Sequence, residues 1–561
     1  MEKKTMLMSA WVLMAGMALG GADVTIEKPY FRWLFGGFGF QHSEASFLRI
    51  MKDDFRDQHV LKTFHELSPT FGRVYTAQVN LPKEQLEAFA DFYDLTFRKA
   101  GTTLYVCPGR LPANPENYDA VEYAEKVADR LEYLVKSREC RKIRYYCLCN
   151  ELIVGDSWDY FKKSDENRAL YVKMNSALFE AFRGRGLDID LLATDEACTR
   201  DPTKLEEFYN WTVENMNDVV GAYCNHWYVY GRAPEDLSLW DDANKVFSNL
   251  VWKANNARNK RFILGEWGFS PAYPNPDVPM KDDTGYSLRL PEKQGYCPLA
   301  KIEVGLAAMN QGTLGCVSWS FVDYPDPYII EDGDTQEERA RYLAAQCGYH
   351  MDRKYNKWGA FRWCDVDKDY RAYDELYAYG WLVKLFRKNS TVLPVKSVDP
   401  MLRGGAVINP DGSVSVAVVN RGGARKTTFD CEAAILKPLR MIVYDSANVP
   451  RNKFNDLQSF SSTVVAKDGA FSVELPAASI VFLTTDYEDR EPAAVADVKL
   501  TDGVLSWAAS SEPEHRYYRV YRDGRQIAST VATSLVVPNA TSDDARMFSV
   551  RSVDKWGNEG R

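Results

Sequence analysis

The stretch IRYYCLCNE, residues 143–151, reads as a buried strand that ends in a carboxylate. From Ile143 to Cys149 almost every position is apolar, which leaves no polar face for water. A run of this kind is a strand covered on both sides, as in a parallel sheet. Asn150 and Glu151 then close it. The same grammar recurs in RWLFGGFGF (32–40), FGRVYTAQV (71–79), TTLYVCPG (102–109), DIDLLATDE (188–196), VVGAYCNHWY (219–228), RFILGEWGF (261–269) and GTLGCVSWSF (312–321). Between these runs lie helical patterns: 82–100, 118–137, 165–186, 298–312 and, last, YGWLVKLFRKNS (379–390). Alternation of strand and helix predicts an α/β chain with a parallel sheet, and eight such units predict a (β/α)8 TIM barrel over residues 28–388. A doubly wound open sheet is the alternative. The first strand is not followed by the Gly-rich turn that the nucleotide-binding versions of that fold require.

After residue 388 the period changes. AVINPDGSVSVAVVNRGG alternates around Asp411-Gly412, a hairpin signal. Further short strands follow, so residues 389–487 are expected to form a β-sandwich domain. Past the linker DYEDREPAA, residues 492–561 resemble a fibronectin type III domain. Trp507, Tyr518 and the Asp523-Gly524 turn stand where that family has its core Trp, strand Tyr and hairpin. Phe548 stands where the family usually has a Tyr, which implies that a corner hydrogen bond is lost.

Residues 1–22 have the form of a signal peptide: charged residues to Lys4, the apolar stretch MLMSAWVLMAGMAL, then Gly20-Gly21-Ala22. Export is expected, to the periplasm, the cell surface or the medium of a bacterium. No later segment reads as a membrane span. Net charge is −9 with no basic block, which argues against nucleic acid as a partner. The 11 cysteines are scattered through apolar strands and read as buried thiols. Cys147-Leu-Cys149 has the wrong spacing for a zinc knuckle, so no metal site is expected. Aromatic residues make up 13% of the chain, with 14 Trp and 32 Tyr. That suits either a large aromatic core or a surface on which sugar rings stack.

Glu151 closes the fourth run and Glu266 the seventh. In a (β/α)8 barrel the ends of the strands surround one mouth, so both carboxylates would face it. A carboxylate costs several kcal/mol to desolvate without partners, so two at strand ends need a reason. Cleavage of a glycosidic bond supplies one: one carboxyl protonates the leaving oxygen, the other attacks the anomeric carbon or directs water. Opposed environments and mutual repulsion would keep one protonated and the other ionised.

These residues resemble clan A of the glycoside hydrolases. Asn150-Glu151 resembles its fourth-strand acid/base motif and Glu266 in GEWG its nucleophile. His226-Trp227-Tyr228 resembles the sixth-strand motif whose Tyr holds the nucleophile. Trp319 in SWSF resembles the eighth-strand Trp under the sugar, and Arg73 the Arg that orients the nucleophile. The resemblance implies a retaining β-glycosidase, with Glu151 as acid/base, Glu266 as nucleophile, Asn150 on the sugar 2-hydroxyl, and no cofactor. His226 is either a sugar ligand or a satisfied histidine. His42, Trp158, Trp267 and Tyr273 are further candidates for sugar contact or site support, and Asp195 and Glu196 either bind substrate or lie in a solvated loop. The long segment 270–298 is placed to build subsites. The expected substrate is a β-linked poly- or oligosaccharide, leaning to β-glucan, and the expected state a monomer. The same pair could serve a transglycosidase, and a cleft without turnover a carbohydrate-binding surface protein.

Overall fold

The computed structural model describes residues 22–29, 34–42, 44–109, 119–152, 165–198, 202–230, 235–257, 259–270, 295–322, 359–363 and 370–560. Eight parallel strands close on themselves: β1 (Phe38–His42), β2 (Phe71–Tyr75), β3 (Thr103–Cys107), β4 (Ile143–Cys147), β5 (Asp190–Cys198), β6 (Val220–Tyr230), β7 (Arg261–Ser270) and β8 (Cys316–Ser318). Each pairs with the next, and Cys316 opposite Phe38 shuts the ring. A helix follows each strand in turn: α1 (Val60–Leu67), α2 (Lys83–Leu95), α3 (Ala120–Glu132), α4 (Asp165–Gly184), α5 (Pro202–Met216), α6 (Leu239–Asn256), α7 (Cys297–Asn310) and α8 (Asp374–Leu385). The eight apolar runs are the eight strands of a TIM barrel.

Local chemistry explains the helices. At α3, the Asp119 carboxylate accepts the N–H groups of Val121 and Glu122, both at 2.9 Å, and so caps the first turn. Tyr123, Ala124, Val127, Ala128 and Leu131 recur at helical spacing and are buried against the sheet. Strand side chains alternate between two layers. Phe71, Tyr105, Cys147, Leu192, Cys224 and Ile263 fill the barrel interior. Val74, Leu104, Tyr146, Tyr223 and Leu264 face outward under the helices.

Two strands break that alternation. On β5, Thr194 pairs with Cys224 but Glu196 pairs with Asn225, so Asp195 is an extra residue, at φ 58°. On β7, Leu264 pairs with Asn225 but Glu266 pairs with His226, so Gly265 is extra. Bulges re-aim side chains. Counting in twos from Ile263 would send Glu266 outward; the bulge returns it to the interior and sends Trp267 outward. Gly265 has to be glycine. A Cβ there would lie 2.4 Å from both Cys224 Sγ and the Tyr105 hydroxyl.

The sandwich has a seven-stranded sheet, in the order Ser462–Val464, Leu439–Asp445, Ser479–Thr484, Val414–Asn420, Leu402–Ile408, Ser390–Leu393, Leu34–Phe35. A four-stranded sheet faces it: Val395–Ser397, Val24–Ile26, Arg425–Cys431, Ala470–Leu475. Two of these strands precede the barrel. Leu34–Phe35, expected from the sequence within the first barrel strand, instead pairs with the edge strand Ser390–Leu393. An open edge is a row of unmet backbone groups, and the incoming chain meets them. The large sheet is buried on both faces, with Val416, Val418 and Leu483 toward the small sheet. Ala417, Val419 and Phe482 pack on the barrel helices. Glu303 of α7 ties the two bodies through Arg403 at 2.8 Å and Arg421 at 3.0 Å.

The last seventy or so residues form two three-stranded antiparallel sheets around Leu505, Trp507, Tyr518 and Val520. Asp523 and Gly524 both have positive φ, the hand a two-residue hairpin turn needs. This module docks on the barrel and the sandwich through buried charges. Asp456 receives Lys62 of α1 at 2.5 Å, Arg519 at 3.0 Å and the Ser529 hydroxyl at 3.0 Å. Glu66 accepts Lys62 at 2.8 Å and the Tyr517 hydroxyl at 3.3 Å. Among the described residues no helix is long and apolar enough to cross a membrane, and eight cysteines are buried free thiols.

Candidate active site

The carboxyl ends of the strands bring six of the singled-out residues into one cluster at the mouth: Arg73, Asn150, Glu151, His226, Tyr228 and Glu266. Glu266 is almost wholly buried, at 3% exposure. Arg73 Nη1 forms an ion pair with its Oε1. The hydroxyl of Tyr75 donates to the same oxygen at 3.2 Å, and that of Tyr228 donates to Oε2 at 2.8 Å. Three donors thus fix one carboxylate, which favours its ionised form and one orientation.

Glu151 is set differently. Its side chain is 21% exposed and its backbone has φ 47°. Its backbone N–H donates to Asp195 O at 2.9 Å, which anchors the turn. Oε1 lies 2.8 Å from His226 Nδ1. One oxygen from each glutamate and a His226 nitrogen all lie within 4.8 Å of one another. Asn150 places its Oδ1 on Arg73 Nη2 at 2.7 Å, so what it can still offer a ligand is its N–H2 donors.

His226 is fully buried, with Nε2 on Asp195 Oδ1 at 3.0 Å and Nδ1 also 3.4 Å from Glu266 Oε2. It therefore bridges carboxylates and has no nitrogen left for a sugar. Burial alone would lower its pKa; the Asp195 carboxylate and the Glu151 contact outweigh that and raise it. Only the imidazolium can donate from both nitrogens at once. Asp195 is fully buried and takes Arg73 Nη2 at 2.6 Å and the thiols of Cys147 and Cys224 at 3.1 and 3.2 Å. Burial would raise its pKa, but Arg73 and His226 hold it well below the usual carboxylate range. Arg73 itself lies over the rings of Tyr75 and Tyr105, at 4.8 and 5.2 Å.

Other expected residues fall elsewhere. His42 ends β1 but faces outward, 4% exposed, among the rings of Phe64, Phe92, Phe97 and Phe321. Burial pushes its pKa down to about 3, so it is a neutral core side chain away from the mouth. Trp267 is fully buried between barrel and helices, edge-on to Tyr379 and under Lys301, because the bulge turns it outward. Neither is placed to touch a sugar. Trp319 is part-buried at the mouth, edge-on to Tyr75 at 5.8 Å. Asp195 and Glu196 are both fully buried, so neither lies in a solvated loop. Trp158, Tyr273 and most of segment 270–298 lie outside the described residues. Tyr75 and Tyr105 were not singled out from the sequence. Tyr75 was within reach, since it lies two residues beyond Arg73 and a strand repeats its face every second residue.

Among the described residues, two groups have the donor types and spacing of a metal site: Glu151, His226 and Glu266, and Cys107, Cys147 and Asp195. Arg73 already supplies the positive charge to Asp195 and Glu266, and a cation would have to compete with it.

No family model matches the chain, and no curated protein does. Solved structures do resemble it. A family 51 α-L-arabinofuranosidase from Bifidobacterium longum is 14% identical, with TM-score 0.55, covering 83% of this chain and 99% of the other. The bacterial orthologue of human α-L-iduronidase is 13% identical, with TM-score 0.55, over 96% and 99%. A family 30 subfamily 8 xylanase from Clostridium acetobutylicum is 12% identical, with TM-score 0.51, over 82% and 99%. At such identities the likeness is one of fold, a (β/α)8 barrel with appended β structure.

Proposed function

We propose that the chain is a retaining glycoside hydrolase, exported, that cleaves β-linked poly- or oligosaccharide by double displacement. The observation that carries this reading is the unequal treatment of two adjacent carboxylates. Glu266 is held by Arg73, Tyr75 and Tyr228, three donors that favour a carboxylate. Glu151 is partly exposed and shares a hydrogen bond with His226. Their oxygens lie within 4.8 Å, which fits the roughly 5 Å of retaining enzymes rather than the 6.5–9.5 Å that leaves room for water in inverting ones.

Glu151 gives its proton to the leaving glycosidic oxygen while Glu266 attacks the anomeric carbon, so the glycosidic C–O bond breaks as an ester to Glu266 forms. Glu151, now a carboxylate, takes a proton from water, the water oxygen attacks the same carbon, and Glu266 leaves. Two inversions retain the configuration. Arg73 keeps Glu266 anionic, and Asn150 donates to the hydroxyl beside the reacting carbon, where contacts tighten in the transition state. The Asp195–His226 pair holds Glu151 in place and provides a cation beside it once it has lost its proton. Trp319 lies under the reacting sugar as an apolar platform.

The neighbours' names, xylanase, arabinofuranosidase and iduronidase orthologue, support glycoside cleavage and point to different sugars. β-Glucan is the first substrate to test. Reducing-sugar release from β-glucans, xylan and aryl glycosides, with the product anomer followed by NMR, tests the proposal. A β product from a β-linked substrate supports it; an inverted product sinks the double displacement. Sugar binding without turnover points to the binding protein, and transfer to sugar acceptors in preference to water points to the transglycosidase.

A further inference from the structure

At the opposite end of the barrel from the mouth, the three modules enclose a cavity of about 310 Å³. The barrel contributes Thr70, just before β2, Trp381 and Lys384 at the end of α8, and Arg387 and Lys388 just after it. The sandwich contributes Phe460 and Asp486, and the last module Arg516, Lys555 and Trp556. This volume lies in the range of small-molecule sites.

The polar groups on its walls are unevenly satisfied. Its acids are spoken for. Glu66 accepts Lys62 at 2.8 Å. Asp486 accepts the Trp556 indole N–H at 3.0 Å and pairs with Arg387 at 3.3 Å and Lys555 at 3.4 Å. Glu514 pairs with Arg516 at 3.2 Å. Donors are left over. Trp381 is 2% exposed, and among the described residues its buried indole N–H has no partner. Arg387 Nε is also buried without one. Lys384 rests its ammonium on the Trp381 ring at 4.9 Å, and among the described residues no carboxylate forms an ion pair with it. Among the described residues, Lys388 reaches only the Thr103 hydroxyl. Burial, with Arg516 and Lys62 nearby, pushes the Lys384 pKa down to about 8 despite Glu66 and Asp554. Burial likewise lowers that of Lys388, with Lys142 and Arg144 adding to it.

A buried charge without a counter-charge is costly, and the Lys384 and Lys388 ammoniums, with Arg387 and Trp381 beside them, line one space. A negatively charged guest gives both ammoniums a counter-charge together. We propose that this three-module cavity is a binding site for a small oxyanion, such as sulfate, phosphate or the carboxylate of an acidic sugar, held by Lys384 and Lys388, with the Arg387 guanidinium adding positive charge beside them. Because its walls come from all three modules, the bound anion ties them together, and it stabilises the whole chain by mass action. The site is separate from the carboxylate pair at the mouth and does not depend on its chemistry.

Calorimetric titration of the full chain with sodium sulfate, sodium phosphate and sodium glucuronate, at ionic strength held constant with sodium chloride, tests the site. Saturable binding at one site is expected for at least one of the three, with a matching rise in Tm. Lys384→Met and Lys388→Met should each weaken it about tenfold or more, the loss of one charge-assisted contact. Tightest binding of glucuronate assigns the site to acidic saccharides; tighter binding of sulfate or phosphate assigns it to the free inorganic ion. Absence of saturable binding for all three anions overturns the proposal, as does unchanged affinity in both variants. If Lys384→Met loses its native circular dichroism, Lys388→Met decides alone.

Discussion

Two buried charge clusters, one at the seam where the last module docks and one at the mouth of the barrel, are built on opposite principles. Where the last module docks, Asp456 takes Lys62, Arg519 and the Ser529 hydroxyl, and Glu66 takes Lys62 and the Tyr517 hydroxyl. Each acid is matched, and nothing is left to react. At the mouth, one guanidinium, Arg73, and one imidazole serve three acids, Asp195, Glu151 and Glu266. Acid is in excess, and Glu151 keeps part of its carboxyl open to solvent. A saturated cluster fastens modules together. An unsaturated one leaves a carboxyl open to a ligand.

The comparison can be broken by substitution. Glu266→Ala should lower kcat/KM by roughly four orders of magnitude or more, and Glu151→Ala by about two to four, with the fold intact by circular dichroism. Undiminished hydrolysis by either variant would remove that residue from the mechanism. Arg73→Met strands two buried carboxylates, so urea unfolding should report a loss of about 3–5 kcal/mol together with loss of activity. At the docking seam, Asp456→Asn removes the negative charge shared by Lys62 and Arg519. It should cost about 2–3 kcal/mol while leaving kcat unchanged; a fall in kcat would mean that the seam reaches the mouth.

His226 provides the pH test. Its folded pKa is raised, so its contribution is fully present below the unfolded value of about 6.5 and is lost as pH rises through the folded value. The urea midpoints of wild type and His226→Gln should differ by a constant amount at low pH and converge as pH rises. A gap that widens with pH would contradict the assignment of His226 as a cation. The smallest effect is expected at His42, whose Nε2 is buried without a partner. His42→Leu should leave activity unchanged and stability within about 1 kcal/mol of wild type, or above it; a large loss of activity would restore His42 to the site.

The barrel was legible because burial on both faces writes each strand as a continuous apolar run, and helical periodicity writes the stretches between them, as in Tyr123, Ala124, Val127, Ala128 and Leu131. The order of those runs places Arg73, Asn150, Glu151, His226, Tyr228 and Glu266 around one mouth. Strand order could not say which way a side chain points. His42 and Trp267 show this: both stand at or near strand ends and both face the helices. The hairpins at Asp411-Gly412 and Asp523-Gly524 were readable from turn chemistry. The capture of Leu34–Phe35 by the sandwich was not, because its partner strand begins at Ser390, hundreds of residues later.

The amino-acid sequence by itself therefore determined the number and order of the strands, the barrel they close, and the two glutamates at their ends. Local periodicity and composition carry all of that. Only the tertiary structure decided that Glu266 faces inward, that Asp195 and Tyr75 complete its surroundings, and that the last module locks onto Lys62 and Glu66. One extra residue in β5 and one in β7 shift the pairing and reverse the side chains beyond them. A bulge exists only between paired strands, so no strand carries that information alone.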